Sequence, residues 1–172
     1  MSACNIMDYL IDSNCFIESK NVTNPMDVAL SFWAKIKDLA IAGKIHSIDK
    51  VKAELVTLGD ELSDWVKKEI PPYFFYPTNG VEVQKEVAEL RAWAISTGHY
   101  DNKAIQDFNS SDVADPYLAG YAATDCHNMK IVTNEKSSPN SVHSVKLPDA
   151  CAQKGVQCIR VMEMLREMGE TF

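Results

Sequence analysis

The sequence lacks the features that mark disulfide-rich, zinc-binding and dinucleotide-binding proteins. Its five cysteines are odd in number and have no CxxC spacing, so we expect neither a disulfide framework nor a structural zinc site. Its seven glycines are scattered along the chain and form no GxGxxG motif. That absence disfavours a dinucleotide-binding domain.

Signals for membrane insertion and export are also missing. No apolar run approaches the roughly 20 residues that a membrane-spanning helix needs. The first residues of the chain lack the basic and long apolar regions of a signal peptide. We therefore expect a cytoplasmic protein that does not insert into a membrane.

Basic residues are scarce, since 17 Lys and Arg face 24 Asp and Glu and the net charge is −7. This balance argues against a protein that coats nucleic acid non-specifically, because phosphate contacts need clustered Lys and Arg. The objection weakens if some of the acids bind divalent metal, because the bound cations offset their charge. The charge balance therefore neither supports nor excludes a nucleic-acid substrate.

The 172 residues, 46% of them hydrophobic, are expected to form a single domain that spans residues 1–172 and buries a substantial core. Short apolar strands alternate with helices, which is typical of an α/β sandwich with a mostly parallel sheet. Strands are predicted at 7–12, 45–48, 130–133 and 156–161. Helices are predicted from Asn24-Pro25 to Gly43, at 81–96, and from about 113 to 125. A further single helix is predicted from Ser47 or Asp49 to Pro71-Pro72.

Four acidic residues stand out by their local positions. Asp12 and Glu135 each follow an apolar strand, Glu54 lies at the border of a helix's apolar face, and Asp115 precedes Pro116 at the start of a helix. The functional crevice of a parallel α/β sheet lies at the carboxyl ends of its strands, where Asp12 and Glu135 are predicted. Carboxylates that converge there are costly unless a divalent metal neutralises them.

Each acid also has a simpler explanation. Asp12 and Glu135 fit ordinary turn residues, and Glu54 fits a surface ion pair with Lys50 one turn earlier. Asp115 fits an N-cap with Pro116 at the first helical position, or a first-turn acid in a helix capped by Asp112. The order of the four acids carries more information than any one of them.

Four segments containing these acids resemble the PIN-domain (VapC-like) nuclease family. They are Tyr9-Leu-Ile-Asp-Ser-Asn-Cys-Phe-Ile, Val51-Lys-Ala-Glu-Leu, Ala114-Asp-Pro-Tyr-Leu-Ala-Gly-Tyr-Ala and Ile131-Val-Thr-Asn-Glu. The similarity runs from about residue 7 to the C-terminus. It is closest to a PIN-like branch that also carries the segments Lys146-Leu-Pro-Asp-Ala-Cys and Met164-Leu-Arg-Glu-Met-Gly.

This resemblance implies a three-layer α/β/α sandwich and a metal-dependent endoribonuclease, often the toxin of a bacterial toxin–antitoxin pair. RNA phosphodiesters would be cleaved by hydroxide attack with Mg²⁺ or Mn²⁺ as cofactor. Carried over by position, the catalytic and metal-binding acids are Asp12, Glu54, Asp115 and Glu135. Glu135 departs from the family, which most often has Asp there. An antitoxin and a second copy of the chain are the protein partners that the resemblance implies.

Other polar residues lie beside the acids in the sequence. Ser13 and Asn14 are candidates for orienting the Asp12 carboxylate or holding a metal-bound water, and they equally fit plain turn residues; Thr133 matches a hydroxyl residue of the family. Lys136 and Lys146 are candidates for binding substrate phosphate.

Two further functional classes are open at this point. A phosphatase or receiver would use an aspartate such as Asp12 for phosphotransfer, but Asn14 stands where the phosphatase pattern has a second Asp. A non-catalytic interaction module would keep the fold without cutting RNA.

Overall fold

The computed structural model of this chain describes residues 7–172. None of the helices in that range combines the length and the hydrophobicity that a membrane crossing requires. Four cysteines in the range, Cys15, Cys126, Cys151 and Cys158, are free, as their spacing predicts. Cys4 lies outside the described residues.

All strand pairings in residues 7–172 are parallel. The strands are β1 (Asp8–Ile11), β2 (Ser47–Ile48), β3 (Phe75–Tyr76), β4 (Met129–Val132) and β5 (Gln157–Ile159). One sheet has the order β1-β4-β5, and β2 pairs with β3. A bridge between Leu10 and His46 sets the β2–β3 pair beside β1. The resulting order is β3-β2-β1-β4-β5, so all the carboxyl ends lie along one edge.

The central strands are buried on both faces. Tyr9, Leu10 and Ile11 are all buried in β1, and Ile131 and Val132 are fully buried in β4. Successive strand side chains point to opposite faces, so consecutive buried residues require cover on both sides, as parallel sheets have. The predicted α/β class with a mostly parallel central sheet is confirmed.

The helices connect and cover these strands. They are α1 (Ser13–Glu18), α2 (Leu30–Ile41), α3 (Asp49–Thr57), α4 (Glu61–Glu69), α5 (Val81–Ser96), α6 (Asn102–Asn109), α7 (Asp115–Ala123), α8 (Leu147–Gln153) and α9 (Val161–Met168). A π-helical turn spans Ser19–Thr23 and a 3₁₀ turn spans Pro72–Phe74. The α5 bounds match the predicted helix at 81–96.

The helix predicted from Asn24-Pro25 begins later than expected. Its first regular residue is Leu30, and Val28 on the preceding turn is exposed. Asn24 instead ends the π-helical turn, where its amide donates to the Ser19 carbonyl at 2.6 Å. The apolar spacing identified the helix but not its start.

The single helix predicted from about residue 49 to Pro71 is wrong, because the chain forms two helices there. Gly59 has a φ of +65° between α3 and α4, a left-handed conformation that glycine adopts without strain. Asp60 then caps α4, its carboxylate accepting from the Ser63 amide at 3.1 Å. Leu58, the residue before Gly59, is exposed at this break.

The carboxyl edge of the sheet brings distant parts of the sequence together. Asp12 follows β1, α3 begins directly after β2, and Thr133 follows β4. The Asp12 amide donates to the Val132 carbonyl at 2.9 Å, and the Thr133 amide donates to the Ile159 carbonyl at 2.9 Å. The polar residues that end β1 and β4 are therefore held in register with each other.

Candidate functional site

Asp12 lies at the centre of this edge and is 3% exposed. It occupies the N-cap position of α1, but no side-chain capping hydrogen bond is formed there, and the Asn14 backbone amide only weakly lowers the pKa of its carboxyl. Instead Asp12 Oδ2 accepts from Thr133 Oγ1 at 2.8 Å. Burial raises the pKa of Asp12 to about 6, and Glu54 adds to the rise while the Thr133 hydrogen bond opposes it.

Glu54 reaches from α3 towards Asp12. Its Oε2 accepts from Ser13 Oγ at 2.6 Å, and its Oε1 accepts from the Ala114 amide at 2.9 Å. Ser13 Oγ also lies 3.4 Å from Asp12 Oδ1. The simpler alternative, a surface pair with Lys50, is not formed, because the Lys50 ammonium donates to the Ser111 carbonyl at 2.9 Å.

Asp115 is the first residue of α7, and Ala114 is the N-cap. The prediction that Asp115 caps the helix is therefore wrong. The alternative, a position in the first turn, is correct for Asp115, but the cap is Ala114 and not Asp112. Burial raises the pKa of Asp115 well above its usual range. Three neighbouring carboxylates raise it further: Asp12, Glu135 and Glu54.

Glu135 lies beyond β4 and is already paired. Its Oε1 accepts from the Lys146 ammonium at 3.0 Å, and its Oε2 accepts from the Leu147 amide at 2.8 Å. Its backbone amide donates to Thr133 Oγ1 at 3.1 Å. The carboxylate still contributes to the raised pKa values of Asp12 and Asp115. Glu135 therefore adds negative charge to the cluster while it is held by a cation.

The four predicted acids thus share one region, which we call the acid cluster: Asp12, Glu54, Asp115 and Glu135. Within residues 7–172, however, no three His, Cys, Asp or Glu side chains are close enough to hold one metal ion together. Glu54 and Glu135 are each held by two donors. Asp12 and Asp115 are the members whose pKa values are raised by the surrounding acids.

The chemistry of these groups fits a small, hard divalent cation. Asp12 and Asp115 offer carboxylate oxygens at positions where burial and neighbouring acids disfavour their ionised forms. A divalent cation removes that electrostatic cost. Mg²⁺ usually retains several waters and needs only one or two protein carboxylates. Two aspartates with two more acids nearby therefore suit Mg²⁺ or Mn²⁺ better than Zn²⁺, which favours nitrogen and sulfur ligands.

The family model for DUF4411, described as a domain of unknown function, matches residues 9–172. The chain belongs to the DUF4411 family. This match includes every member of the acid cluster.

One solved structure similar to this DUF4411 protein is the crystal structure of VapBC2 from Rickettsia felis bound to a DNA fragment from their promoter. The similarity covers 80% of this chain and 98% of the other chain, at 16% sequence identity and a TM-score of 0.48. No curated protein sequence matches the chain.

The other predicted residues of the DUF4411 site fall into different positions. Ser13 and Thr133 contact the acids directly, whereas Asn14 is exposed. Lys146 is in an ion pair with Glu135. Lys136 is exposed and forms no ion pair within residues 7–172. A role for either lysine in substrate binding remains a prediction.

Two donors at this site were missed by the sequence analysis, and both are backbone amides. The Ala114 amide holds Glu54, and the Leu147 amide holds Glu135. Neither residue type indicates such a role. Their one common signal is a nearby proline: Pro116 lies two residues after Ala114, and Pro148 follows Leu147 directly. A proline at such a position marks the start of a helix, where backbone amides lack intrahelical partners.

Proposed function

We propose that this DUF4411 protein is a metal-dependent nuclease, and specifically an endoribonuclease that cleaves RNA by hydroxide attack on a phosphodiester. The observation that carries the proposal is the convergence of four acids, distant in sequence, at the carboxyl edge of a parallel sheet. Asp12 and Asp115 are held there at raised pKa by burial and by their acidic neighbours. Stability alone gives no reason for such an arrangement.

Asp12 and Asp115 would hold the divalent ion, with Glu54 and Glu135 adding to the negative field around it. Bound there, Mg²⁺ or Mn²⁺ would make water a stronger nucleophile at neutral pH and stabilise the charge that develops on the phosphate. An ion with few protein ligands keeps positions open for water and for phosphate oxygens.

The protein's own contribution is to fix the orientation of these carboxylates. The Thr133 hydroxyl donates to Asp12 at 2.8 Å and also accepts from the Glu135 amide at 3.1 Å. Ser13 connects Asp12 to Glu54. Hydrogen bonds of this kind limit side-chain rotation and hold the ligand oxygens in place before the substrate arrives.

The biological role proposed is that of a toxin restrained by an antitoxin protein, in a cytoplasmic setting and with homodimer formation. The resemblance of the acid-bearing segments to PIN-domain nucleases supports this part. The free and buried thiol of Cys15 is also in keeping with a reducing compartment.

The test is incubation of the purified protein with end-labelled RNA and Mn²⁺ or Mg²⁺, in parallel with Asp12→Asn and with EDTA. We expect cutting by the wild-type protein only, and only with metal. The matched control is Asp8→Asn, the same substitution at the other end of β1. Equal cutting by Asp12→Asn, or cutting undiminished by EDTA, would refute the mechanism.

A non-catalytic interaction module is the second candidate. The observation that favours it is the Lys146–Glu135 ion pair, because a carboxylate already matched by a cation is a poorer metal ligand. If no preparation cuts RNA with either metal, this candidate is preferred. Phosphotransfer through Asp12 is the remaining alternative, and hydrolysis of a chromogenic phosphate ester would support it.

A further inference from the structure

A cleft of about 500 Å³ opens at the carboxyl ends of β4 and β5. It runs between the end of α1 with the π-helical turn on one side and the first turns of α9 on the other. Its polar lining includes Glu18, Asn134, Lys136, Arg160, Glu163 and Arg166. Asn134 and Lys136 flank Glu135 in the sequence, so the cleft lies beside the segment that carries this member of the acid cluster.

We call this cavity the β5 cleft. Its lining is unusually basic for so acidic a protein. Lys136, Arg160 and Arg166 are exposed, and within residues 7–172 none of them is in an ion pair. Two of the three arginines of the chain therefore face one cleft. Of the two acids that also line the cleft, Glu18 and Glu163, Glu163 accepts from the Arg160 backbone amide at 2.8 Å.

The sheet order fixes where this cleft lies relative to Asp12. On one side of β1 lie β4 and then β5, and β5 is followed directly by Arg160 and α9. On the opposite side, β2 leads into α3, where a second cleft of about 480 Å³ is lined by residues that include Lys50, Glu54 and Ser111. An extended ligand that crosses the acid cluster along the edge would thus enter the β5 cleft from one side.

We propose that the β5 cleft binds the phosphates of a single-stranded nucleic acid beside the bond to be cut, through Lys136, Arg160 and Arg166. This inference rests on the proposed nuclease function and specifies its substrate as a polymer. The acid cluster repels a polyanion, so the affinity must come from cations outside it. Guanidinium groups suit this role because they bind phosphate through two parallel hydrogen bonds.

The cationic lining of the cleft favours a flexible single strand as its occupant. A groove with cations along its walls tracks a flexible single strand, as in proteins that bind about 4–16 nucleotides per site. A small phosphate ester, by contrast, could not contact the acid cluster and all three cations.

The first experiment measures binding without cutting. A fluorescent single-stranded RNA of about 12 nucleotides is titrated in EDTA with the wild-type protein and with the triple variant Lys136→Gln, Arg160→Gln, Arg166→Gln. The matched control, Lys67→Gln, Lys68→Gln, Lys103→Gln, removes three exposed cations elsewhere. We expect the cleft variant to lose about tenfold or more in affinity and to lower the salt slope by about 2, at roughly 0.7 per contact.

The second experiment measures cutting with Mn²⁺. The cleft variant should raise KM for the long strand by about tenfold, as for a lost ground-state contact, with kcat little changed. Cleavage of a dinucleotide, which has fewer phosphates to place in the cleft, should change less than cleavage of the long strand. Circular dichroism and melting of both triple variants establish that they are folded.

The outcomes separate this inference from the proposed function. Wild-type protein that binds the strand through the cleft but never cuts it would refute the nuclease and retain the binding site. Cutting with the same KM in both triple variants would retain the nuclease and overturn the cleft proposal. Equal RNA affinity of the two variants, or tighter binding of duplex RNA, would also overturn it and direct attention to an acidic protein as the occupant.

Discussion

The two ends of β1 carry aspartates in opposite electrostatic situations. At the amino end, Asp8 Oδ1 lies 2.8 Å from His46 Nδ1, and its Oδ2 accepts from the Tyr76 hydroxyl at 3.1 Å. The His46 ring also stacks on Tyr76 with the ring centres 4.4 Å apart. At the carboxyl end, Asp12 accepts from hydroxyl groups and has other acids as its charged neighbours.

Other carboxylates at the amino end are paired in the same way. Glu167 accepts from the Lys130 ammonium at 2.8 Å and from the Tyr9 hydroxyl at 2.9 Å. At this end Glu167 is paired with a lysine and Asp8 is held by two side-chain hydrogen-bond partners, so both acids contribute to the fold. At the other end Asp12 and Asp115 repel each other, and the nearby Lys146 is paired with Glu135 and only partly offsets the raised pKa of Asp115. That difference separates a structural acid from one arranged for a ligand.

The largest expected effect is on activity. Asp12→Asn or Asp115→Asn should lower the rate of RNA cleavage by about 100-fold or more, because each removes a charge that the ion requires. Asp8→Asn should keep the rate within about threefold, since Asp8 lies at the far end of the strand. Single-turnover cleavage of labelled RNA measures both. Comparable losses of cleavage rate in the Asp8 and Asp12 variants would mean that the two ends of β1 do not differ in function.

The next effect is the response of stability to metal. Mn²⁺ at about 100 times its dissociation constant should stabilise the wild-type protein by about 2.7 kcal/mol. Asp115→Asn should shift its melting temperature far less, whereas Asp8→Asn should respond like wild type. Differential scanning fluorimetry with and without Mn²⁺ provides the comparison. The absence of a wild-type shift would count against a metal site.

The metal-free stability should change in opposite directions at the two ends. Asp8→Asn should lower the free energy of unfolding by about 1–2 kcal/mol, because His46 and Tyr76 lose a charged partner. Asp12→Asn should be neutral or stabilising, because it relieves repulsion while its amide oxygen still accepts from Thr133. Urea unfolding in EDTA tests both. A large loss for Asp12→Asn would mean that its carboxylate is structural.

The smallest effect concerns acid stability. The Lys130 hydrogen bond and the Tyr9 hydroxyl lower the pKa of Glu167 from its usual 4.5. A lowered pKa in the folded state gives stability that is present above about pH 4.5 and is lost as the pH falls through the folded value. Glu167→Gln should therefore slightly flatten the acid side of the stability profile. The free energy of unfolding is measured by urea unfolding between about pH 5 and about pH 3. The same slope against pH in the variant and in the wild type would contradict this prediction.

The sequence was sufficient for the features that depend on local pattern. Apolar runs located β1 and β4, and the acids that follow such runs identified the edge of the sheet at which the acid cluster lies. The break between α3 and α4 was missed because the apolar spacing continues through Leu58 to Leu62, while the Gly59 conformation and the Asp60 cap interrupt it.

Features that depend on distant partners could not be predicted from local pattern. Nothing near Glu135 indicates that Lys146 and the Leu147 amide will hold its carboxylate. The pairing of Asp8 with His46 and Tyr76 is equally non-local. Arg160 and Arg166 were not singled out either, because their position beside the acid cluster follows from the sheet order.

The contacts of Glu54 have a consequence for when the site forms during synthesis. Its two oxygens join Ser13 and Ala114, which are 41 and 60 residues away along the chain. Asp12 in turn depends on Thr133, 121 residues later. Such long-range contacts form late in folding. A nascent or truncated chain therefore has the acids but not the acid cluster, and a cell that makes this protein is not exposed to the assembled site until most of the chain has left the ribosome.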